Sequence, residues 1–351
     1  MMRYILCSSI LWIGYMIVHK PKPYPLHTPI HFGNAYHIPK DNPLTVEGVL
    51  LGKYLFYDTR LSLDSTISCA SCHKPALAFT DGLPTSIGIR GQASLRNAPT
   101  LANLMWQKKF FWDGSVNSLE EQVLHPITSA IEMAMPLPVL VGKLQKTTDY
   151  PNLFKRAFAS EKITQENIAK ALAQFVRTLI SGNSRYDQIT RGEVIPTERE
   201  KRAIALFFTH PIPEIGLRGA NCGDCHGSHL TTLGTFHDNG LDALPTDKGL
   251  GNVTGKPTDI GKMKTPSLRN IMLTAPYMHD GRFRTLQEVL EHYNAHIKTS
   301  PNLDPLIAQA SNEVEGATLM LTTAEKNDLL FFFEMLTDSS FIKNEHFLFK
   351  W

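Results

Sequence analysis

Apolar residues recur at helical spacing in a series of short stretches along this chain, and no stretch alternates convincingly enough to pair as strands. In the first stretch, 45–57, Val46, Val49, Leu50, Lys53 and Tyr54 trace one stripe, and Leu44, Leu51 and Leu55 widen it. That is the pattern of a mostly buried helix. Residues 117–122 open a short helix with Ser118 and Glu121 spaced as a capping box, and Pro126 is expected to end it. Short helices are predicted over 137–147 and 152–159. A longer one is predicted over 164–181, where Ile168, Leu172, Phe175, Val176 and Leu179 share a face.

A second series begins near Pro196. Thr197 and Glu200 form a capping box ahead of Ile204, Phe207 and Phe208. Thr285 and Glu288 start a helix whose inward face is Leu286, Val289, Leu290, Tyr293 and Ile297. Thr322 and Glu325 start the last one, with Leu329, Leu330, Phe333 and Leu336 inward. Each series reads as helix, loop, Cys-x-x-Cys-His, long loop, closing helix. The fold class is therefore mainly α, in two domains, 44–195 and 196–340. An extended arm or linker rich in proline and histidine, 19–43, precedes them, and a short tail, 341–351, follows.

The composition, 42% hydrophobic and 19% charged over 351 residues, describes a chain that folds. A net charge of +2 argues neither for nor against a nucleic-acid or membrane-surface partner, and no nucleic acid is expected as one. With 22 prolines and 23 glycines, long connecting loops are expected.

The chemistry lies in Cys69-Ala70-Ser71-Cys72-His73 and Cys222-Gly223-Asp224-Cys225-His226. Cys-x-x-Cys-His is the attachment signal for c-type haem, the thiols forming thioethers and the histidine reaching the iron. One copy alone could be a redox dithiol or half of a zinc site. Two copies with both histidines in place, using all but Cys7 of the five cysteines, favour two covalent haems. Such attachment takes place outside the bacterial cytoplasmic membrane, so an export signal and a periplasmic location are expected. Residues 1–3 are basic and 4–18 nearly all apolar, a run short for a spanning helix and suited to a signal peptide. Val18-His19-Lys20-Pro21 is a poor cleavage site, which keeps an uncleaved amino-terminal membrane anchor as the alternative.

Spacing alone places no distal ligand. Tyr293 by itself reads as a core tyrosine on an apolar helical face, Trp112 as a packed interface residue, and Glu132 as a solvated carboxylate. The ordered motifs carry more. From about Leu44 to Leu336 the chain resembles the bacterial di-haem cytochrome c peroxidase family, which includes the di-haem enzyme of methylamine utilisation that matures a protein-derived quinone. The resemblance rests on both haem motifs and on Arg96-Asn97-Ala98-Pro99-Thr100, Phe111-Trp112-Asp113-Gly114, Leu119-Glu120-Glu121-Gln122 and Ile131-Glu132-Met133. Lys264-Thr265-Pro266-Ser267-Leu268-Arg269-Asn270 and the run from Thr274 to Gly281 complete it.

The resemblance implies two cytochrome c-like domains packed across an interface, each with one covalent haem. It implies that His73 binds the peroxidatic haem, that Gln122 and Glu132 line its distal pocket, and that Trp112 relays electrons. A calcium ion would sit between the domains on Asn97 and the carbonyls of Thr274 and Pro276, oxygen ligands suited to a hard cation. The implied activity is reduction of hydrogen peroxide with electrons from a small cytochrome or cupredoxin. The alternatives are oxidation of tyrosine or tryptophan side chains of a partner protein, and plain electron transfer without catalysis.

Two departures from the peroxidase pattern matter. Residues 85–92 contain no histidine where many family members carry one that caps the first haem, so that iron is expected to be open. Counting onward from His279, the position the peroxidases give to methionine holds Tyr293. A phenolate-like oxygen in place of a thioether lowers the haem potential and suits storage of an oxidising equivalent.

Overall fold

The computed structural model describes residues 20–313 and 318–349, so the apolar stretch 4–18 and Cys7 lie outside the described residues. The first series forms α1 (Val46–Tyr57), α2 (Cys69–Cys72), α3 (Leu119–Gln122), α4 (Leu124–Thr128), α5 (Leu137–Gln145), α6 (Tyr150–Phe158) and α7 (Gln165–Arg177). Before Pro196 lies α8 (Arg185–Thr190), which packs on the second core through Tyr186; the second series forms α9 (Glu198–Phe208), α10 (Gly223–His226), α11 (Leu250–Thr254), α12 (Leu286–Ala295), α13 (Pro305–Ala308) and α14 (Thr323–Met335), and α15 (Ser339–Ile342) returns to the first core through Phe341. Between α10 and α12 one minimal antiparallel pair joins β1 (Phe236–His237) to β2 (Met263–Lys264), a strand pair that the residue pattern does not announce.

Capping oxygens set the starts of several helices. The reciprocal boxes at Thr197/Glu200, Thr285/Glu288 and Thr322/Glu325 are all formed. At Ser118 only half of the expected box exists, the hydroxyl accepting from the Glu121 N–H without a return bond. Pro126 does not end a helix either. It sits in the first turn of α4, where a missing N–H costs nothing.

The inward face of α1 differs from the stripe predicted for it. Val46, Leu50 and Tyr54 remain 40, 37 and 36% exposed, whereas Leu51, Leu55 and Phe56 are sealed. The cause is a pair of glycines. A Cβ on Gly52 would lie 1.9 Å from the Ala171 carbonyl oxygen, and one on Gly48 would lie 2.2 Å from Gln174 Oε1. Both partners belong to α7, so the two helices approach backbone to backbone and the glycine face decides which way α1 turns. Hydrophobic periodicity assigns glycine no weight and misses this contact. The Phe349 ring meets part of that exposed side, lying 5.2 and 5.6 Å from the rings of Tyr54 and Tyr57. Lys53 Nζ and the Tyr57 hydroxyl donate to the carbonyls of His346 and Phe347. Phe341 and Phe347, in the stretch read as a tail, are buried in the core of the first series.

That first core is built on α1, α5, α6 and α7. The second packs Phe207 of α9 against Phe332 of α14 at 4.5 Å, with Leu286, Leu290, Leu329 and Leu336 around them and Tyr186 of α8 joining. Buried polar groups tie the second core to the arm and to the segment that follows α7. Arg269 and Asp187 are both fully buried and share two 2.7 Å bonds, and His31 of the arm adds a third at 2.7 Å to the same carboxylate. Asp338 accepts from the backbone N–H groups of Gly182 and Asn183, at 2.9 Å each. The arm runs extended between the halves, pairing with 44–46 and placing Phe32 against Met105 and Trp106.

Candidate functional site

One cavity of about 980 Å³ lies between the two cores, lined mainly by apolar side chains, at the upper end of the size range of small-molecule sites. Every residue singled out from the sequence for chemistry reaches its wall. Cys69, Cys72 and His73 line one part with Gln122 and Glu132. Cys222, Cys225, His226 and Tyr293 line another, and Asn97, Trp112, Thr274 and Pro276 stand along it as well.

Both motif histidines are oriented by their own loops. His73 Nδ1 bonds the Phe79 carbonyl at 2.8 Å, and His226 Nδ1 bonds the Thr231 carbonyl at 3.2 Å. In each ring the carbonyl fixes Nδ1 as the protonated nitrogen and leaves the Nε2 lone pair for a metal. Burial lowers the pKa of His73 and takes His226 down to about 4, so both imidazoles are neutral at ordinary pH. Burial also pushes the Cys69, Cys222 and Cys225 thiols up to about 12, an environment unlike that of a reactive dithiol, which needs a stabilised thiolate. Among the described residues no three His, Cys, Asp or Glu side chains gather as a metal-binding group, so a zinc reading of either motif lacks its donor set. Two neutral imidazoles aimed by carbonyls, with paired thiols beside them in a large apolar cavity, fit haem.

Around the first motif the loop 85–92 rests on the segment that carries Glu132. The Ile89 N–H donates to the Glu132 carbonyl at 2.8 Å and the Ile89 side chain is buried. Gly88 allows this approach, since a Cβ there would lie 2.0 Å from the Ile131 carbonyl oxygen. Burial raises the Glu132 carboxyl above the ordinary glutamate value, outweighing a hydrogen bond with Ser129 and the nearby His125. Glu132 is thus a half-buried carboxyl on the cavity wall that keeps its proton to higher pH than an ordinary glutamate.

Trp112 stands where the halves meet. Its indole N–H donates to the Asn97 carbonyl at 2.9 Å, its own carbonyl accepts from the Lys264 N–H at 2.7 Å, and its ring lies 6.5 Å from that of His279. Arg96 locks this region, holding Asp247 through Nε and Nη2 and Asp113 through Nη1, with bonds of 2.7–2.9 Å. The Asn97 amide donates to the Leu83 carbonyl, and the Asn97 N–H to the His279 carbonyl. Among the described residues no donor reaches Asn97 Oδ1 or the carbonyls of Thr274 and Pro276, the three oxygens read from the sequence as calcium ligands.

The Tyr293 hydroxyl accepts from Asn239 Nδ2 at 3.2 Å, and the same amide lies 3.6 Å from the Met278 sulfur. Burial pushes the Tyr293 phenol up to about 12 against that hydrogen bond. Lys264 and Met278 fall within the motif runs read from the sequence, whereas Asn239 and Asp247 are site features that no spacing rule picks out. Both come from a long loop, where periodicity carries no signal.

A family profile described as "Di-haem cytochrome c peroxidase" matches residues 46–194. The methylamine utilization protein MauG of Methylophilus methylotrophus is 37% identical over 303 residues, covering 85% of this chain and 84% of its own. Cytochrome-c peroxidase IdrP1 of Pseudomonas sp. (strain SCT) is 33% identical over 335 residues, covering 86% and 84%. Among solved structures, a MauG-like protein associated with microbial copper homeostasis superposes with a TM-score of 0.81 at 36% identity, covering 90% of this chain and 97% of that one.

Proposed function

The chain belongs to the di-haem cytochrome c peroxidase family, and from that premise we propose that it reduces hydrogen peroxide to water with electrons from a small cytochrome or cupredoxin, outside the cytoplasmic membrane. The observation that carries this reading is the half-buried Glu132 carboxyl, its pKa raised, on the cavity wall that it shares with Gln122 and the first Cys-x-x-Cys-His motif. Cys69, Cys72 and His73 would hold one haem, and Cys222, Cys225, His226 and Tyr293 the other. Bound there, the haems would supply iron to bind peroxide and the capacity to take up two oxidising equivalents.

The protein's own part is proton handling and positioning. As carboxylate, Glu132 takes the proton from one peroxide oxygen and, as acid, returns it to the other, so that the oxygen–oxygen bond breaks with release of water. Gln122 orients the peroxide by hydrogen bonding. Trp112 connects the two halves for electrons, held by the Asn97 carbonyl and by the Lys264 N–H. Over a cycle each peroxide takes up two electrons and two protons and leaves as two waters.

The second reading, oxidation of a partner protein's tyrosine or tryptophan side chains, is favoured by one feature, the Tyr293 hydroxyl on the second part of the cavity. An oxygen ligand there would suit an enzyme that holds oxidising power until a large substrate docks.

Electron paramagnetic resonance of the ferric protein, followed by peroxide, tests the assignment. One high-spin and one low-spin haem with immediate reaction is expected. Two low-spin haems that react only after reduction would overturn the open-site reading of residues 85–92.

A further inference from the structure

Five Asp, Glu, Lys and Arg side chains line the cavity: Arg96, Asp113, Glu132, Asp247 and Lys264. Three of them answer one another, since Arg96 is saturated by Asp113 and Asp247. Glu132 has its role in proton transfer, and the charges that act on it do not include Lys264. Lys264 is left over. Its backbone is fixed on both sides, paired with Phe236 in the small sheet and bonded through its N–H to the Trp112 carbonyl, so the residue cannot swing away from the cavity. Its Nζ makes no hydrogen bond or ion pair with any described residue. Burial alone brings the ammonium down to about 8, with no carboxylate acting against it.

An ammonium set against a cavity wall with no counter-charge among the described residues points to an anion among what fills the cavity. On the cofactor reading above, on which this inference rests, the filling group carries two propionate carboxylates for each haem. Lys264 sits on the second motif's side. Two residues on is Pro266, whose backbone faces the His226 ring, and its strand neighbour across the pair precedes His237, also on the wall.

We propose that Lys264 is the counter-ion of a propionate carboxylate on the haem attached at Cys222 and Cys225, and that its charge raises the reduction potential of that haem. The sign follows from Coulomb's law, because reduction removes a positive charge from the iron and a nearby cation favours the reduced state. The same contact would join the cofactor edge to the backbone of Trp112, giving the relay residue a fixed distance from the second haem.

The test uses the full holoprotein. In its crystal structure Lys264 Nζ should lie within hydrogen-bonding reach, roughly 2.7–3.2 Å, of a propionate oxygen. An Nζ that is solvated or paired with a protein carboxylate would overturn the proposal. In spectroelectrochemical titration Lys264→Met should lower the midpoint potential of the second haem and leave the first unchanged, while Lys264→Arg stays near wild type. Unchanged potentials in Lys264→Met, or equal shifts in both variants, would also overturn it. Should Lys264→Met lose the second haem, Lys264→Arg must restore the haem content and Lys264→Gln must not. A wild-type protein without haem at Cys222 and Cys225 would refute the cofactor reading itself, a result separate from any of these.

Discussion

Glu132→Gln isolates the proton-transfer role of the cavity carboxyl. Glutamine has the same size and keeps an oxygen for the Ser129 contact, so the segment that also receives the Ile89 N–H stays in place. What disappears is the ability to take up and return a proton. Positioned general acid–base catalysis contributes on the order of 10²–10⁴-fold, and kcat/KM for peroxide should fall by that factor, which is about 2.7–5.4 kcal/mol of transition-state stabilisation.

The wild-type pH profile gives a second readout. Glu132 must be ionised to accept the first proton, and burial raises its pKa, so activity should fall as pH drops through a value above that of an ordinary glutamate. This acid limb should vanish in the variant. Stability should move the other way. A carboxyl whose folded pKa is raised stabilises the fold below its unfolded pKa and loses that contribution as pH rises through the folded one. At neutral pH the glutamine protein should therefore be as stable as wild type or slightly more so. Stopped-flow peroxide kinetics from acid to neutral pH, with thermal unfolding of the same samples, measures all three. A variant that keeps more than a tenth of wild-type kcat/KM, or the same acid limb, would remove Glu132 from the chemistry.

Other parts of the structure give equally direct expectations. Tyr293→Met should raise the potential of the second haem, because a thioether is a softer and weaker donor than a phenolate-like oxygen; a fall or no change in redox titration would exclude Tyr293 as ligand. Asp187→Asn leaves the Arg269 guanidinium, fully buried, without its carboxylate and should cost about 3–5 kcal/mol, read as a lower chemical-denaturation midpoint; a loss under 1 kcal/mol would mean that the pair relaxes to solvent. Gly52→Ala places a methyl 1.9 Å from the Ala171 carbonyl oxygen and should destabilise by at least the 1–3 kcal/mol typical of overpacking, whereas Val46→Ala on the 40% exposed face of α1 should cost less than about 1 kcal/mol.

The sequence by itself determined what is local or covalent. Three capping boxes begin their helices where the Thr-x-x-Glu spacing puts them, because both partners lie within one turn and no distant residue need cooperate. The Cys-x-x-Cys-His runs are equally self-contained, since the reach from thiols to histidine is set by a four-residue helix or its equivalent. The face of α1 was not legible, because it depends on a glycine pair meeting a helix more than a hundred residues away. Only tertiary structure brought the two motifs, Glu132, Trp112 and Tyr293 onto one cavity, and only it revealed Lys264 as a charge without an answer. The physical reason is common to both. A site held between two cores is defined by which surfaces meet, and close backbone approach, buried ion pairs and loop placement decide that meeting. None of these leaves a period in the chain.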